Sequence, residues 1–392
     1  MSTERAGWFS LVSAAFTAGV VGFASTILLI MEAARAVGAT PGQQASWAAA
    51  LCFGMAVSSF LLSWRYRMPI ITAWSTPGAA LIATSAAGVS YANALGAFLV
   101  AGLLMAAAGL IKPLEKAIER IPSPVAAAML AGVLLRYALG VPLAALADPQ
   151  FVVPLIILFF GLRLLVPLLA VPVVVALGVA MAALSGSFPA ECCRFGLTLL
   201  EWTTPRFDPA TILSIGVPLF LVTMASQNLP GFAVLRAAGY RPPVQPALVV
   251  TGAFSALLAP FGSHAINLAA ITASIVTGPD CHPNPEKRWL MAWPYLVFYG
   301  AIGLFAAGLV EVLGALPKDL ITAIAGLALF APLMGAMGAM MKEARDIETA
   351  LVTFLVTASG LTLFGVGSAF WGLAAGLILF AARHAMGWRR AQ

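Results

Sequence analysis

The sequence predicts an all-α integral membrane protein of about 14 spans, allowing roughly 28 residues for each span and its loop. The spans are expected to form two repeats of seven that cross the bilayer in opposite senses. Three observations carry this. The 392 residues are 61% hydrophobic and 9% charged, whereas a soluble domain carries about 25% charge. Apolar runs long enough to cross a bilayer follow one another with short connections along the whole chain. Two of those runs are broken by proline, glycine and polar residues at corresponding places in the two halves, a pattern that points to a transporter binding site.

The first span covers approximately residues 9–31. It is too long for a cleavable signal and lacks a clear small-residue cleavage site. Spans at 44–63, 70–88 and 92–111 follow, and then a charged segment, 112–120, that reads as a short amphipathic helix at the cytoplasmic surface. Spans at 124–141, 151–168 and 169–186 complete the first repeat, residues 1–200. The second repeat, 201–392, holds spans at 209–229, 243–260, 264–277, 289–311, 319–335, 347–363 and 366–383. With the N-terminus in the cytoplasm, fifteen of the 21 Lys and Arg residues face inward. Five face outward (Arg35, Arg136, Arg194, Arg206 and Lys318), and Arg163 lies in or near a span. That bias follows the positive-inside rule and sets both termini in the cytoplasm.

Three matches recur in the same order half a chain apart. Arg35-Ala-Val-Gly38-Ala-Thr-Pro41-Gly-Gln-Gln44 resembles Arg236-Ala-Ala-Gly239-Tyr-Arg-Pro242-Pro-Val-Gln245. Ala80-Leu-Ile-Ala-Thr-Ser-Ala-Ala-Gly88 resembles Ala270-Ile-Thr-Ala-Ser-Ile-Val-Thr-Gly278, and Ile121-Pro122 and Leu316-Pro317 each open a span. An odd number of spans per repeat turns the second repeat upside down, which puts the site near the bilayer midplane between the repeats.

Composition also narrows the function. The net charge of +6 is spread over short loops, which fits topology rather than nucleic-acid binding. Cys52, Cys192, Cys193 and Cys281 have no metal-ligand spacing, and neither Cys281-His282 nor the methionine-rich stretch 334–341 makes a metal or cofactor site. Close helix packing is the expected role of that stretch. No nucleophile has a partnered base, so the chain is not read as an enzyme. Ser263 adjoins His264, but neighbours on an extended strand point to opposite faces.

The broken stretches hold the candidate site. Between Pro209 and Pro279 there is no Asp or Glu, and His264 is the one residue there that titrates near neutral pH. Gln227 and Asn228 come just before Pro230 and Gly231, which disturb the helix beside them. The first repeat offers Ser25, Thr26, Trp74, Ser75 and Thr76, with Phe23, Phe232 and Phe261 as candidate apolar walls. A half-helix N-terminus carries free N–H groups and about half a positive charge. Two of them, expected at 75–78 (Ser75, Thr76, Gly78) and 265–268 (Ala265, Ile266, Asn267), would hold a carboxylate without an arginine. A lone anion entering a cell about 100 mV negative inside meets an opposing 2.3 kcal/mol. A co-transported proton cancels that cost, so His264 is the expected proton carrier.

The segments Ala73-Trp-Ser-Thr-Pro-Gly-Ala-Ala-Leu81, Asn228-Leu-Pro-Gly-Phe-Ala-Val-Leu-Arg-Ala-Ala-Gly-Tyr240 and Ala259-Pro-Phe-Gly-Ser-His-Ala-Ile-Asn-Leu-Ala-Ala-Ile271 resemble the signature segments of the benzoate:proton symporter family. The resemblance runs over essentially the whole chain. It implies the 14-span fold shared with nucleobase transporters and sulfate-type anion carriers, with short strands in spans 3 and 10. It implies a core (8–117 with 208–312) moving against a gate (118–200 with 313–385). Ser75, Thr76 and residues 264–267 would line the site, with Gln227 and Asn228 facing them. The implied activity is import of benzoate or a similar aromatic carboxylate with a proton across a bacterial inner membrane. Its partners would be that anion, protons and the lipid bilayer, with a homodimer admitted. A nucleobase:proton symporter is the nearest rival, although that group usually places carboxylates where this chain has Gln227. An anion exchanger or channel of the same fold is the other.

Overall fold

The structure is a computed structural model that describes residues 2–86, 88–111, 122–186, 196–269, 271–364 and 366–390. Segment 112–120 and the pair Cys192 and Cys193 lie outside these residues. The first half begins with α1 (Ser2–Ala36), α2 (Pro41–Tyr66), the strand β1 (Thr72–Trp74), α3 (Thr76–Ser85) and α4 (Tyr91–Leu110). It continues with α5 (Ser123–Ala147), α6 (Pro149–Leu165) and α7 (Ala170–Leu184). The second half holds α8 (Pro209–Ala237), α9 (Val244–Leu258), the strand β2 (Ile266–Leu268), α10 (Ile271–Thr277), α11 (Ala292–Leu304) and α12 (Ala306–Gly314). The last four elements are α13 (Lys318–Ala328), α14 (Phe330–Met340), α15 (Ile347–Ala358) and α16 (Ser368–Arg390). Among the described residues, six helices are long and apolar enough to cross a membrane, and two bent pairs qualify if each is one span.

Local chemistry accounts for the boundaries. At the start of α2, the Thr40 hydroxyl accepts from the Gln43 N–H while the Gln43 side chain takes the Thr40 N–H, a reciprocal cap that satisfies two otherwise free donors. The spans expected at 289–311 and 319–335 are bent rather than straight, by 61° between Leu304 and Ala306 and by 41° between Ala328 and Phe330. Pro332 explains the second bend, because it has no N–H to give the carbonyl of Ala328. α8 carries two π-helical turns, Ile212–Gly216 and Met224–Asn228, and the second holds Gln227 and Asn228. Such turns widen a helix and re-aim its side chains.

The most extensive helix contacts are α4 with α9 and α2 with α11. Small residues permit them: a Cβ added at Gly102 of α4 would lie 2.6 Å from the Ala256 nitrogen, and one at Gly109 would lie 2.7 Å from the Gln245 carbonyl. A second group forms around α5, which packs on α13, α14 and α15, while α15 packs on α16. Here Gly132 faces Thr357 and Gly326 faces the Tyr137 carbonyl, each leaving only 2.7 Å for a Cβ. An extended segment, 196–208, runs across the first group. Thr198 N–H donates to the Leu304 carbonyl at 2.8 Å, Glu201 N–H to the Ser46 hydroxyl, Thr203 N–H to the Pro260 carbonyl and Arg206 N–H to the Ala92 carbonyl, each at 2.9 Å.

At the centre, β1 and β2 pair antiparallel, with Thr72 opposite Leu268, Ala73 opposite Asn267 and Trp74 opposite Ile266. The Ser75 N–H donates to the Ala265 carbonyl at 3.2 Å and the Ala269 N–H to the Ile71 carbonyl at 3.0 Å. Extended backbone at membrane depth is tolerated only where protein satisfies its polar groups. That is arranged here by the Ser59 hydroxyl accepting the Thr72 N–H at 2.8 Å and the Tyr295 hydroxyl donating to the Thr72 carbonyl at 2.9 Å.

This pairing corrects one sequence expectation. The second half-helix begins at Ile271 rather than at Ala265. Residues 265–269 give their backbone groups to β1, to the Ser255 hydroxyl, which accepts the Ile266 N–H at 2.8 Å, and to Asn228, whose side-chain oxygen accepts the Leu268 N–H at 2.9 Å, and so cannot also turn into a helix.

Candidate substrate-binding site

Ser75 sits where β1 becomes α3. Its hydroxyl caps the helix by accepting the Gly78 N–H at 3.1 Å and takes a second hydrogen bond from the Thr223 hydroxyl of α8 at 2.9 Å. Its carbonyl lies 2.9 Å from Nε2 of His264. On the other edge of that ring, Nδ1 lies 3.1 Å from the Trp47 indole nitrogen. An indole N–H only donates, so Nδ1 is the acceptor and Nε2 carries the proton that it donates to Ser75. His264 therefore ties α2 to the turn that begins α3. It is fully buried, with the rings of Trp47 and Phe98 at 5.8 and 6.3 Å.

A cavity of about 890 Å³ lies beside this crossing, between the first helix group and the second. Its lining is largely apolar. On one wall are Thr26, Trp74, Thr76, Gln227, Thr272 and Tyr299; the other presents Met129, Leu130, Phe159, Arg163 and Ala331. The Trp74 indole donates to the Thr26 hydroxyl at 2.7 Å, and that hydroxyl donates to the Gly22 carbonyl at 3.1 Å. Thr26 is thus committed to holding the tryptophan. The Thr76 hydroxyl and the Gln227 amide, by contrast, make no hydrogen bond among the described residues. Arg163 is the charged residue of the lining; its guanidinium lies 5.3 Å from the Phe330 ring centre.

The expected site residues therefore divide. Thr76 and Gln227 face the cavity. Ser75, Gly78, Asn228, His264, Ala265, Ile266 and Asn267 are buried behind its wall. Phe23 backs Trp74, the two ring centres 5.7 Å apart. Asn228 clips the strand crossing to α8, and its amide nitrogen points at the sulfur atoms of Met224 and Met105, at 3.3 and 3.8 Å. The Asn267 amide nitrogen donates to the Leu268 carbonyl at 2.9 Å, and the amide oxygen is buried with no partner among the described residues. Phe261 packs edge-on against Trp202, and Phe232 is buried away from the cavity.

Sequence reasoning missed the far wall and Tyr299. A lone charge inside an apolar run could have flagged Arg163, because ionisable residues at such depth mark functional pathways. Nothing local distinguishes Phe159 or Leu130 from other membrane-core residues.

The donors differ from expectation too. Pro77 has no N–H, and Ser75 already occupies that of Gly78. The first turn of α3 therefore presents Thr76 to the cavity rather than an open nest of amides. The arrangement suits a flat apolar solute with one polar end, its ring against Trp74, Tyr299 and Phe159.

Comparison with known proteins matches residues 8–382 to the family described as "Benzoate membrane transport protein". The inner membrane protein YdcO of Escherichia coli (strain K12) is 40% identical over 369 residues, 94% of each chain. The benzoate membrane transport protein of Acinetobacter baylyi is 31% identical over 382 residues, 97% of each chain. Among solved structures, the transmembrane domain of the cyanobacterial bicarbonate transporter BicA aligns with a TM-score of 0.58 at 15% identity, covering 95% of this chain and 97% of that one. The murine anion transporter Slc26a9 aligns with a TM-score of 0.65 at 12% identity, covering 97% and 68%. These likenesses establish a shared fold.

Proposed function

The chain belongs to the benzoate membrane transport protein family, transporters rather than enzymes, and from that premise we propose that it imports benzoate or a close aromatic carboxylate with a proton. The relatives and the apolar helices support a multi-pass protein of a bacterial inner membrane. The observation that carries the proposal is the cavity between the two helix groups, with Thr76 and Gln227 uncommitted among aromatic and aliphatic side chains. The substrate carboxylate accepts from the Thr76 hydroxyl and the Gln227 amide, and Arg163 raises the local concentration of anions at the mouth.

Alternating access between a core (8–117 with 208–312) and a gate (118–200 with 313–385) is the motion we infer, and the position of the cavity between the two helix groups supports it. The cavity reaches Ser123, Arg163, Gly335 and Ala339, at helix ends that the basic-residue bias puts in the cytoplasm. This is the inward-open form. Two inverted repeats are supported by helix contacts. Exchanging α2 with α9 and α4 with α11 carries the α4–α9 contact onto α2–α11, and the α1–α10 contact likewise maps onto α8–α3. A count of 14 spans is supported if the six long helices, two bent pairs and three shorter apolar helices are joined by the two strand–helix units and α15.

Uptake of radiolabelled benzoate into proteoliposomes with an imposed pH gradient, with uracil and sulfate as competitors, tests the proposal. Gradient-driven accumulation blocked only by aromatic carboxylates is expected. Thr76→Val and Gln227→Ala should each raise KM about ten- to a hundredfold, the loss of one hydrogen bond to a charged group. Competition by uracil, or uptake indifferent to the gradient, would overturn it.

A further inference from the structure

Glu32 lies near the outer end of α1, six residues or about 9 Å along the helix beyond Thr26, and takes no part in the cavity. Among the described residues its Oε2 is buried without a hydrogen-bond partner and its carboxylate is in no ion pair. The helix that carries Glu32 packs against α7 and α13, and so lies at the seam between the two helix groups.

The charged and titratable groups around it come from α1, α13 and α5. Arg35 on α1 and Lys318 on α13 act on the carboxylate, and the Tyr137 phenol of α5 feels its charge. Arg136 neighbours Tyr137, Asp319 follows Lys318, and α7 holds no titratable residue. Arg35 and Lys318 are exposed, so water screens most of their attraction. A second contact spans the same seam: the Arg136 guanidinium donates to the Thr84 carbonyl at the end of α3, at 3.2 Å.

We propose that Glu32 is a proton-binding site of the outer seam, filled from the outer solution as the seam closes over it. Closing buries one carboxyl oxygen with no donor, which favours the neutral acid because an uncompensated buried charge is costly. The proton moves from water to the carboxylate, and no other bond changes. The inference rests on the two helix groups moving against each other as proposed above.

The test reads the seam without substrate. Spin labels at Ala36→Cys on α1 and Leu139→Cys on α5, in a background lacking the native cysteines, report its separation in proteoliposomes by pulsed dipolar spectroscopy. In the wild type the open fraction should grow as pH rises, by at most tenfold in the open-to-closed ratio per pH unit, the limit for one proton. Glu32→Gln should hold the seam closed at every pH, and Glu32→Asp should keep the slope with a displaced midpoint. A Glu32→Gln seam that follows the wild-type profile would overturn the inference. If that variant does not fold, an unchanged midpoint in Glu32→Asp would do so. A wild-type separation that stays constant between about pH 5 and pH 9 would overturn it whatever the substrate. Failed benzoate uptake with an intact pH response would overturn only the transport proposal.

Discussion

At the scale of single residues, His264 is observed as a crosslink and proposed as a proton carrier, and experiment separates the two. Its geometry is that of a crosslink: Nδ1 accepts from Trp47 and Nε2 donates to Ser75. Carrying a proton would require Nδ1 to give up the indole hydrogen bond and leave that N–H buried without an acceptor, costing about 1–3 kcal/mol. A glutamine can accept and donate in the same place but does not titrate. His264→Gln should therefore keep gradient-driven accumulation if the residue only positions α3, and lose it while retaining benzoate exchange if the residue carries the proton. His264→Ala should lower thermal stability in either case. Accumulation by His264→Gln at the wild-type level would remove the histidine from coupling.

At the scale of elements, what makes the site is the way two short strands are held at depth. Each contributes three residues, far too few to be stable alone. They persist because Thr72 is gripped by Ser59 and Tyr295, and Leu268 by Asn228. The scaffold behind them is the α4–α9 contact, where backbones approach closely across Gly102, Gly109 and Gly252. Gly102→Leu would drive a side chain into the Ala256 backbone 2.6 Å from the Cβ position, which forces the helices apart. Loss of the folded monodisperse protein in detergent is expected. Leucine at Gly161, where a Cβ meets nothing within 4 Å, should leave it intact. Equal behaviour of the two variants would contradict this account of the scaffold.

At the scale of the whole molecule, a cavity that reaches the ends of α5 and α14 at Ser123 and Ala339 should be accessible from one side of the membrane under the proposed inward-open form. A cysteine at Gly335, in the lining near the mouth, is expected to react with a membrane-impermeant thiol reagent from the cytoplasmic face and to be protected by benzoate. A cysteine at Leu139, exposed in the C-terminal half of α5, should react from the opposite face. Labelling of both from one face would refute the topology with both termini in the cytoplasm. Saturating benzoate that leaves Gly335→Cys unprotected would place the substrate elsewhere.

Much of the architecture was legible in one dimension because the bilayer imposes a one-dimensional rule. Any segment crossing it must be apolar and must satisfy its own backbone, so composition and run length mark the spans, while proline and glycine mark the breaks at Pro69 to Gly78 and Pro260 to Gly262. Thr76 and Gln227 could be named for the same reason, since uncharged polar groups beside helix breaks stand out in such a chain. Local sequence did not determine where the second half-helix begins, or which polar groups face the cavity and which are used in holding the crossing. Those outcomes depend on partners far away in the chain. Asn228 takes the Leu268 N–H, Trp47 takes the His264 ring, and Ser75 takes the Gly78 N–H. A polar atom is free to meet a ligand only after every such partner has been placed, and that allocation exists only in the folded chain.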